Sequence, residues 1–189
     1  MAGFHTKTFA VHDDYMTPPS AWRAIHKYIP KNKVIWDPFY GDGTSGHALR
    51  DLGYEVIHKP VDFFRHNFGD IIVTNPPFSR VADVLNRLAI LGKPFILIMP
   101  VFKLITRYFA DLFGNENKSP IQLLVPRRRI QFIKMAPSDT KRKTIGPTSF
   151  LKRTLKATTD KKACNFDCFY YCWKCNLPRD IIWLEDTDV

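Results

Sequence analysis

Short apolar runs alternate along the first hundred positions with segments in which apolar residues recur every three or four positions. The runs lie at 34–36, 54–57, 70–74 and 95–99 and are typical of buried strands. The helically spaced segments lie at 17–28, 45–52 and 79–91, with Thr17 and Ser79 as candidate N-caps. This alternation predicts an α/β fold, in which a central, mostly parallel sheet carries helices on both faces.

The last third of the chain shows a different pattern. A helix is predicted around residues 108–113, and strands are predicted at 121–125, 166–173 and 180–184. Because the short stretch 176–178 joins the last two strands, we expect them to form an antiparallel C-terminal hairpin at one edge of the sheet. The length of 189 residues suits a single domain that spans positions 1–189.

The positive charge of the chain is concentrated in one segment. The formal charge is +10, and residues 118–162 alone hold 13 basic and 2 acidic residues, a net of +11. Such a segment indicates a polyanionic partner, most often nucleic acid, although a solvated lysine-rich loop would have the same composition. Within it, residues 134–162 carry nine basic residues and predict a long basic excursion that could recognise the substrate.

Other classes of protein do not fit the sequence. The chain has no apolar run long enough to span a membrane, and its first residues lack the apolar core of a signal peptide. We therefore expect an intracellular protein, in the cytoplasm or the nucleus, that makes no contact with a membrane. No feature of the sequence indicates the oligomeric state.

Four cysteines fall within twelve residues and allow two interpretations. They are Cys164, Cys168, Cys172 and Cys175. Four clustered thiolates could bind zinc in a tetrahedral site. The aromatic residues between them instead favour one β-strand, on which Cys164, Cys168 and Cys172 share a face and Cys175 points the other way. One extended strand cannot wrap four ligands around one ion, so we expect buried, reduced cysteines and no metal.

A glycine-rich turn at residues 37–44 follows the first predicted strand. Gly41 and Gly43 allow backbone conformations that other residues resist, and they let a ligand approach closely. The turn matches neither the dinucleotide-binding fingerprint nor the P-loop. Its place at the carboxyl end of a parallel strand is nevertheless where α/β proteins bind ligands.

The motif Asn75-Pro76-Pro77-Phe78 ends the third predicted strand. Two consecutive prolines stiffen the chain and remove backbone donors, so that carbonyl groups and the Asn75 side-chain oxygen point out of the sheet. Phe78 adds a flat apolar surface beside these acceptors. The combination suits a planar amine, such as the amino group of adenine, although a strand-ending turn would also account for it.

Three blocks together resemble the signature motifs of the S-adenosylmethionine-dependent N6-adenine DNA methyltransferases, in the order found in small phage-like and viral members. The blocks are Tyr15-Met16-Thr17-Pro18, residues 37–44 and residues 75–78. The resemblance covers about residues 12–100. It implies a Rossmann-like methyltransferase fold, S-adenosylmethionine as cofactor, and nucleic acid as substrate, with DNA favoured over RNA.

The resemblance also implies roles for individual residues. Catalysis would fall to Asn75, Pro76, Pro77 and Phe78, which would polarise the target amine and stack on a base flipped out of the duplex. Cofactor binding would fall to Tyr15, Thr17, Pro18, Asp37, Pro38, Phe39, Gly41, Asp42, Gly43, Asp62, Phe63 and Phe64. Phosphate contacts are expected from the basic residues Arg127, Arg128, Arg129, Lys141, Arg142 and Lys143. No metal is required.

One departure from the family pattern leaves alternatives open. Members of the family carry an acidic residue at the end of the second strand, where it binds the cofactor ribose. Here the strand runs into His58-Lys59-Pro60, so that either Asp62 takes over that role or cofactor binding is weaker. A catalytically silent nucleic-acid-binding module with the same fold is therefore one alternative function. An RNA adenine methyltransferase is the other, because a basic segment suits RNA as well as DNA. A protein glutamine methyltransferase fits less well, because the basic segment does not suit a neutral peptide.

Overall fold

A computed structural model describes residues 15–115, 119–134 and 167–185 of the chain. The strands are β1 (Tyr15–Met16), β2 (Ile35–Trp36), β3 (Val56–Ile57), β4 (Ile71–Thr74), β5 (Phe95–Pro100), β6 (Ile121–Val125), β7 (Ile133–Lys134), β8 (Cys168–Trp173) and β9 (Ile181–Trp183). The α-helices are α1 (Pro19–Ile25), α2 (Thr44–Asp51), α3 (Val81–Leu91) and α4 (Arg107–Phe113). Three 3-10 helices cover His26–Tyr28, Phe78–Arg80 and Val101–Ile105.

Seven strands form one sheet in the order β3-β2-β4-β5-β8-β6-β9. Every strand in it runs in the same direction except β8, which pairs antiparallel with β5 on one side and β6 on the other. β1 and β7 form a separate antiparallel ribbon of two strands. The predicted α/β fold with a mostly parallel sheet is confirmed.

Helices cover both faces of the sheet, as predicted. In β5, Ile96 and Ile98 point to the apolar cluster that holds the buried residues of α1 and α2. The alternate residues Phe95, Leu97 and Met99 point to the cluster that holds those of α3 and α4. A central strand with both faces buried needs apolar residues at every position, which explains why 95–99 is a continuous apolar run rather than an alternating one.

Neither predicted N-cap residue caps its helix. α1 begins at Pro19 with Pro18 at the cap position, so that Thr17 lies one residue too early. α3 begins at Val81 with Arg80 as its N-cap. The stiff prolines lead first into a 3-10 turn, which the N–H of Arg80 closes by donating to the carbonyl of Pro77 at 3.2 Å, and this turn displaces the helix start beyond Ser79.

The predicted antiparallel hairpin between the last two strands is wrong. β8 lies between β5 and β6, and β9 pairs parallel with β6 at the edge of the sheet. The connection passes the start of β6, where the Gln122 side-chain amide donates to the carbonyl of Leu177 at 3.0 Å and accepts from its N–H at 2.8 Å. β8 is buried almost throughout and needs a neighbouring strand on each side, which a hairpin with β9 at the sheet edge would not provide.

The cysteines lie in or just after β8. Cys168 and Cys172 are buried and Cys175 is half-buried, and none of the three forms a disulfide within the described part of the chain. Cys175 packs against the same apolar cluster as Cys172, contrary to the prediction that it faces the other way, because β8 ends at Trp173 and Lys174 turns the chain with a φ of 54°. In the part of the chain described, no group of three or more potential metal ligands occurs. Cys164 lies outside that part.

Two further predictions concern regions that the structure describes only partly. No helix within the described residues is long and apolar enough to cross a membrane. The basic excursion predicted at 134–162 lies outside the described residues beyond Lys134.

Candidate functional site

A cavity of about 270 Å³ opens at the edge of the sheet where β2 and β4 end. Between these two strands the connections reverse direction, because β3 follows β2 on one side and β5 follows β4 on the other. Open α/β sheets bind their ligands at such a switch point. The volume is close to the lower limit of small-molecule sites, roughly 300–1,000 Å³. The lining residues are Tyr15, Met16, Thr17, Asp37, Phe39, Tyr40, Gly41, Asp42, Ser45, Asn75, Pro76, Pro77 and Phe78.

The glycine-rich turn forms one wall of this cavity and is held by its own hydrogen bonds. The N–H of Gly43 donates to the carbonyl of Tyr40 at 2.8 Å, and Gly41 and Gly43 adopt positive φ angles of 55° and 87°. The carboxylate of Asp42 accepts from the backbone N–H of Thr44 at 3.0 Å and from its hydroxyl at 2.6 Å. These bonds fix the start of α2 and hold the turn at the mouth of the cavity.

Asp37 is the buried charged group of the site, with 1% of its surface exposed. Its Oδ1 accepts a hydrogen bond from the hydroxyl of Thr74 at 2.6 Å, which links the end of β2 to the end of β4. Burial raises the pKa of Asp37 from 3.8 to about 6, although His58 and Thr74 oppose the shift. Its Oδ2 accepts no hydrogen bond from the described residues and lies 3.3 Å from Nδ1 of His58, so this buried acceptor beside the cavity has room for a further donor.

His58 supports the turn from behind and was not singled out as a site residue from the sequence. Its Nδ1 lies 2.9 Å from the carbonyl of Asp37 and 3.3 Å from Oδ2 of the same residue. Because a carbonyl only accepts, Nδ1 carries the proton and donates it. The ring stacks on Tyr40, with the centroids 4.8 Å apart.

Gly46 makes room for this imidazole. A Cβ at Gly46 would lie 2.4 Å from Cδ2 of His58, which is far inside van der Waals contact. A glycine inside a predicted helix weakens the helix and so indicates a packing reason, and this was the signal available in the sequence. His58, which directly follows β3, is therefore a buried support for the glycine-rich turn.

The Asn-Pro-Pro-Phe block forms a second wall of the cavity. All four residues line the cavity, and the backbone leaves β4 in an extended conformation, with ψ of 121° at Pro77. The side-chain oxygen of Asn75 is buried and accepts no hydrogen bond from the described residues. A buried unpaired acceptor is costly, and its presence here indicates a place for a donor from a ligand.

The two-stranded ribbon of β1 and β7 borders a third side of the cavity. Tyr15 and Met16 in β1 pair with Lys134 and Ile133 in β7, so the cavity rim is tied to the chain just before the basic excursion. Met16 approaches so closely that a Cβ on Gly41 would lie 2.9 Å from its sulfur. The sequence analysis predicted Tyr15 and Thr17 at this site but missed Met16, Tyr40 and Ser45.

Six predicted cofactor residues do not line the cavity. Pro18, Pro38 and Gly43 lie next to lining residues, and the stretch at 62–64 forms a neighbouring loop. Asp62 is exposed and accepts from the N–H of Phe64 at 2.9 Å. Phe63 is buried against Trp36 and packs behind the lining residue Phe39, with ring centroids 5.2 Å apart.

Phe64 is half-buried, and a guanidinium group covers it. The Arg80 guanidinium lies 4.5 Å from the centre of its ring. Arg80 lies two residues beyond Phe78, so this contact joins the predicted cofactor-binding loop at 62–64 to the wall that carries Asn75.

The predicted phosphate-binding residues are described only in part. Arg127, Arg128 and Arg129 are exposed at the end of β6. Arg127 donates to the carbonyl of Leu184 at 3.1 Å, and Arg129 forms an ion pair with Asp167 at 2.7 Å, which holds the pKa of Asp167 below its usual value. Lys141, Arg142 and Lys143 lie outside the described residues.

No family model matches the chain, and no curated protein matches it significantly. The fold and site define an α/β protein with a mostly parallel sheet and a small-molecule-sized cavity at its switch point.

Proposed function

We propose that the protein is an S-adenosylmethionine-dependent methyltransferase that modifies the N6 amine of adenine in DNA. One observation carries the proposal: the glycine-rich turn and the Asn-Pro-Pro-Phe block, which are 30 residues apart in sequence, both line one cavity. The resemblance of the sequence to the adenine methyltransferases requires that these two blocks meet.

The turn offers the chemistry that the amino-acid end of the cofactor needs. Oδ2 of Asp37 is a buried acceptor without a hydrogen bond from the described residues, and an ammonium group is the donor that would best satisfy it. Thr74 and His58 hold the carboxyl group in place from two sides. The bound cofactor supplies a methyl group made electrophilic by its positively charged sulfur.

The wall formed by the Asn-Pro-Pro-Phe block offers acceptors for the target amine. Oδ1 of Asn75 and the carbonyl of Pro76 would accept its two N–H bonds, which draws the nitrogen lone pair out of conjugation with the ring. The prolines keep these acceptors in position before the substrate arrives. Phe78 would stack on the base, and Arg127–Arg129 supply cations at the same edge of the sheet.

The test is methyl transfer to a panel of nucleic acids. The protein is incubated with methyl-labelled S-adenosylmethionine and duplex DNA, single-stranded DNA or RNA, and the products are digested to nucleosides. We expect the label in N6-methyladenine from DNA and a loss of at least about 100-fold in the Asn75→Ala variant. Label confined to RNA would mean that the substrate is RNA and not DNA. Label on cytosine or protein would contradict the proposal.

If no methyl transfer is seen, calorimetric titration with S-adenosylmethionine shows whether the protein binds the cofactor but lacks its substrate, or does not bind the cofactor at all. Binding of S-adenosylmethionine without any transfer would support the cofactor site but not the reaction. Failure to bind the cofactor would favour the silent nucleic-acid-binding module.

A further inference from the structure

Two large apolar side chains project into solvent from the 3-10 helix Val101–Ile105 that follows β5. Phe102 is 52% exposed and Ile105 is 85% exposed, whereas Leu104 of the same turn packs into the core below α3 and α4. A turn that needed apolar residues only for packing would not expose two of them. We therefore asked what these side chains could contact.

The turn is anchored at both ends, so its exposed side chains have a fixed position. The hydroxyl of Tyr171, which is buried in β8, reaches the carbonyls of Pro100 at 2.9 Å and Val101 at 3.1 Å. At the other end, the N–H and the hydroxyl of Thr106 donate to the carbonyl of Lys103 at 3.2 and 2.7 Å. Rigid presentation lowers the entropy cost of inserting an apolar side chain between other groups.

The turn lies on the same edge of the sheet as the candidate site. Thr74, the last residue of β4, pairs with Leu97 of the adjacent strand β5. Val101 lies four residues beyond Leu97, so the turn begins about 13 Å above the end of β4 at roughly 3.3 Å per residue. The Asn-Pro-Pro-Phe block also leaves β4 in this direction.

The register of β8 places Arg127 level with Val101, the first residue of the turn, along the direction of the strands. Ile98 of β5 and Leu124 of β6 both pair with Tyr170, so Val101 and Arg127 each lie three residues beyond a matched level. Two strand spacings separate β5 from β6, which is about 10 Å. In the order of the strands, the turn that carries Phe102 therefore follows β5, between β4 with the candidate amine site and β6 with the arginines.

Cations accompany the apolar side chains. The ammonium of Lys103 lies 5.2 Å from the ring centre of Phe102, and Arg107 follows the turn with 94% of its side chain exposed. Arg107 contacts Asp111 at 3.7 Å, but an ion pair this exposed is weak and can give way to a phosphate. Apolar tips beside cations match duplex nucleic acid, which has stacked bases inside and phosphates outside.

From these observations we infer that the 3-10 helix Val101–Ile105 is a wedge that inserts Phe102, assisted by Ile105, into the base stack of duplex DNA. The wedge fills the space left by an adenine that has turned out toward Asn75, while Lys103 and Arg107 contact the flanking phosphates. The inference rests on the proposed function and assigns to this turn the separation of the bases. Single-stranded DNA, which has no partner strand to separate, does not need it.

Stack opening can be measured without methyl transfer. The probe is a mixed-sequence DNA duplex in which a fraction of the adenines is replaced by 2-aminopurine, whose fluorescence is quenched by stacking. We compare the intact protein with Phe102→Ala, the double variant Phe102→Ala/Ile105→Ala, and Ile90→Ala. Ile90 is the matched control, because it is 76% exposed but lies near the end of α3, away from this edge.

We expect the fluorescence to rise when the unmodified protein or Ile90→Ala binds and to stay near the free-duplex value with the double variant. An unmodified protein that binds the duplex without raising the fluorescence would overturn the wedge. So would a double variant that raises the fluorescence as much as the control. A change of oligomeric state confined to the double variant would instead assign the patch to contact with a second copy.

A second measurement separates this inference from the proposed function. Methyl transfer by the double variant should fall about tenfold or more on duplex DNA and stay within about twofold on the same DNA in single-stranded form. Equal losses on both forms would contradict the wedge but leave the methyltransferase intact. A Phe102-dependent fluorescence rise without methyl transfer to any nucleic acid would support the wedge and contradict the reaction. Thermal midpoints of all variants serve as the folding control.

Discussion

The two walls of the cavity are held in place by different physical means. The glycine-rich turn depends on a buried network, in which Thr74 and His58 hold Asp37 and the missing side chain of Gly46 leaves space for the imidazole. The Asn-Pro-Pro-Phe block depends on covalent stiffness, since two prolines restrict its backbone. Both walls nevertheless end in a buried oxygen that accepts no hydrogen bond from the described residues, on Asp37 and on Asn75.

Because of this difference, we expect substitutions in the two walls to have different effects, on folding in one case and on chemistry in the other. A change in the network should disturb folding and ligand binding together, because its members support one another. A change of the Asn75 side chain should leave the fold almost unaffected, because the prolines and not the amide hold the chain.

The largest effect is expected from Asn75→Ala on methyl transfer. Loss of one positioned acceptor should cost roughly 3 kcal/mol or more in the barrier, which is a factor of at least about 100 in rate. Affinity for S-adenosylmethionine should stay within a few-fold, since in the proposed function Asn75 would contact the target amine and not the cofactor. Initial rates and calorimetry measure the two quantities.

Stability is the control for this variant. Because Oδ1 of Asn75 has no hydrogen bond to lose within the described part of the chain, the free energy of unfolding should change little. A large loss of stability, or near-normal turnover, would show that Asn75 has a structural role instead.

Gly46→Ala should have the largest effect on stability. Its Cβ would overlap a buried ring that is stacked on Tyr40 and bonded to Asp37, so neither partner can move at low cost. We expect a loss of about 1–3 kcal/mol, as for other overpacked cores, measured by denaturant unfolding. Cofactor affinity should fall in parallel.

A double variant checks the cause of that loss. In a His58→Ala background the ring is gone, so Gly46→Ala should cost much less than in the natural chain. Additive effects of the two substitutions would mean that the clash with His58 is not what makes glycine necessary.

The first half of the fold was easier to predict than the second. Strands β2 to β5 follow one another with a helix in most connections, so apolar periodicity and short connections were enough to place them. The position of β8 depends on pairing with β5, more than 60 residues earlier, and periodicity carries no information on such distant partners. The expected hairpin failed for this reason.

The candidate site shows the same division. The turn and the Asn-Pro-Pro-Phe block are local motifs, and their residues could be named from the sequence. His58 and Met16 reach the site only through the packing of other elements, by the fit against Gly46 and by the pairing of β1 with β7. The loop at 62–64 was assigned to the cofactor by resemblance, and its role stays a prediction.

The dependence on pH should differ in sign for stability and for ligand binding. Burial raises the pKa of Asp37 from 3.8 to about 6, so between these values the folded protein binds a proton that the unfolded chain has lost. This group therefore lowers stability as pH rises from about 4 to 6, and its full penalty applies above that range. Cofactor affinity should rise over the upper part of the same range, because the ammonium group requires the ionised carboxylate.

Asp37→Asn provides the test of this assignment. The variant should lose the contribution of Asp37 to both pH dependences, with a flatter stability profile between pH 4 and 6 and weak, pH-independent cofactor binding there. Thermal unfolding and calorimetry across this range measure them. Profiles that match those of the natural chain would assign the titration to another group.

The smallest effect is expected from Thr74→Val, which keeps the shape of the side chain and removes the donor to Asp37. The cost should be about 1–2 kcal/mol of stability above pH 6, where the carboxylate needs the hydrogen bond most. Without that bond the pKa of Asp37 should rise further, so the rise in cofactor affinity should move to higher pH. Thr44→Val is the matched control, because it removes the equivalent hydroxyl bond to Asp42 at the less buried end of the turn. If both valine variants shift the pH dependence equally, or neither does, the link between β2 and β4 through Asp37 does not set the ionisation of the site.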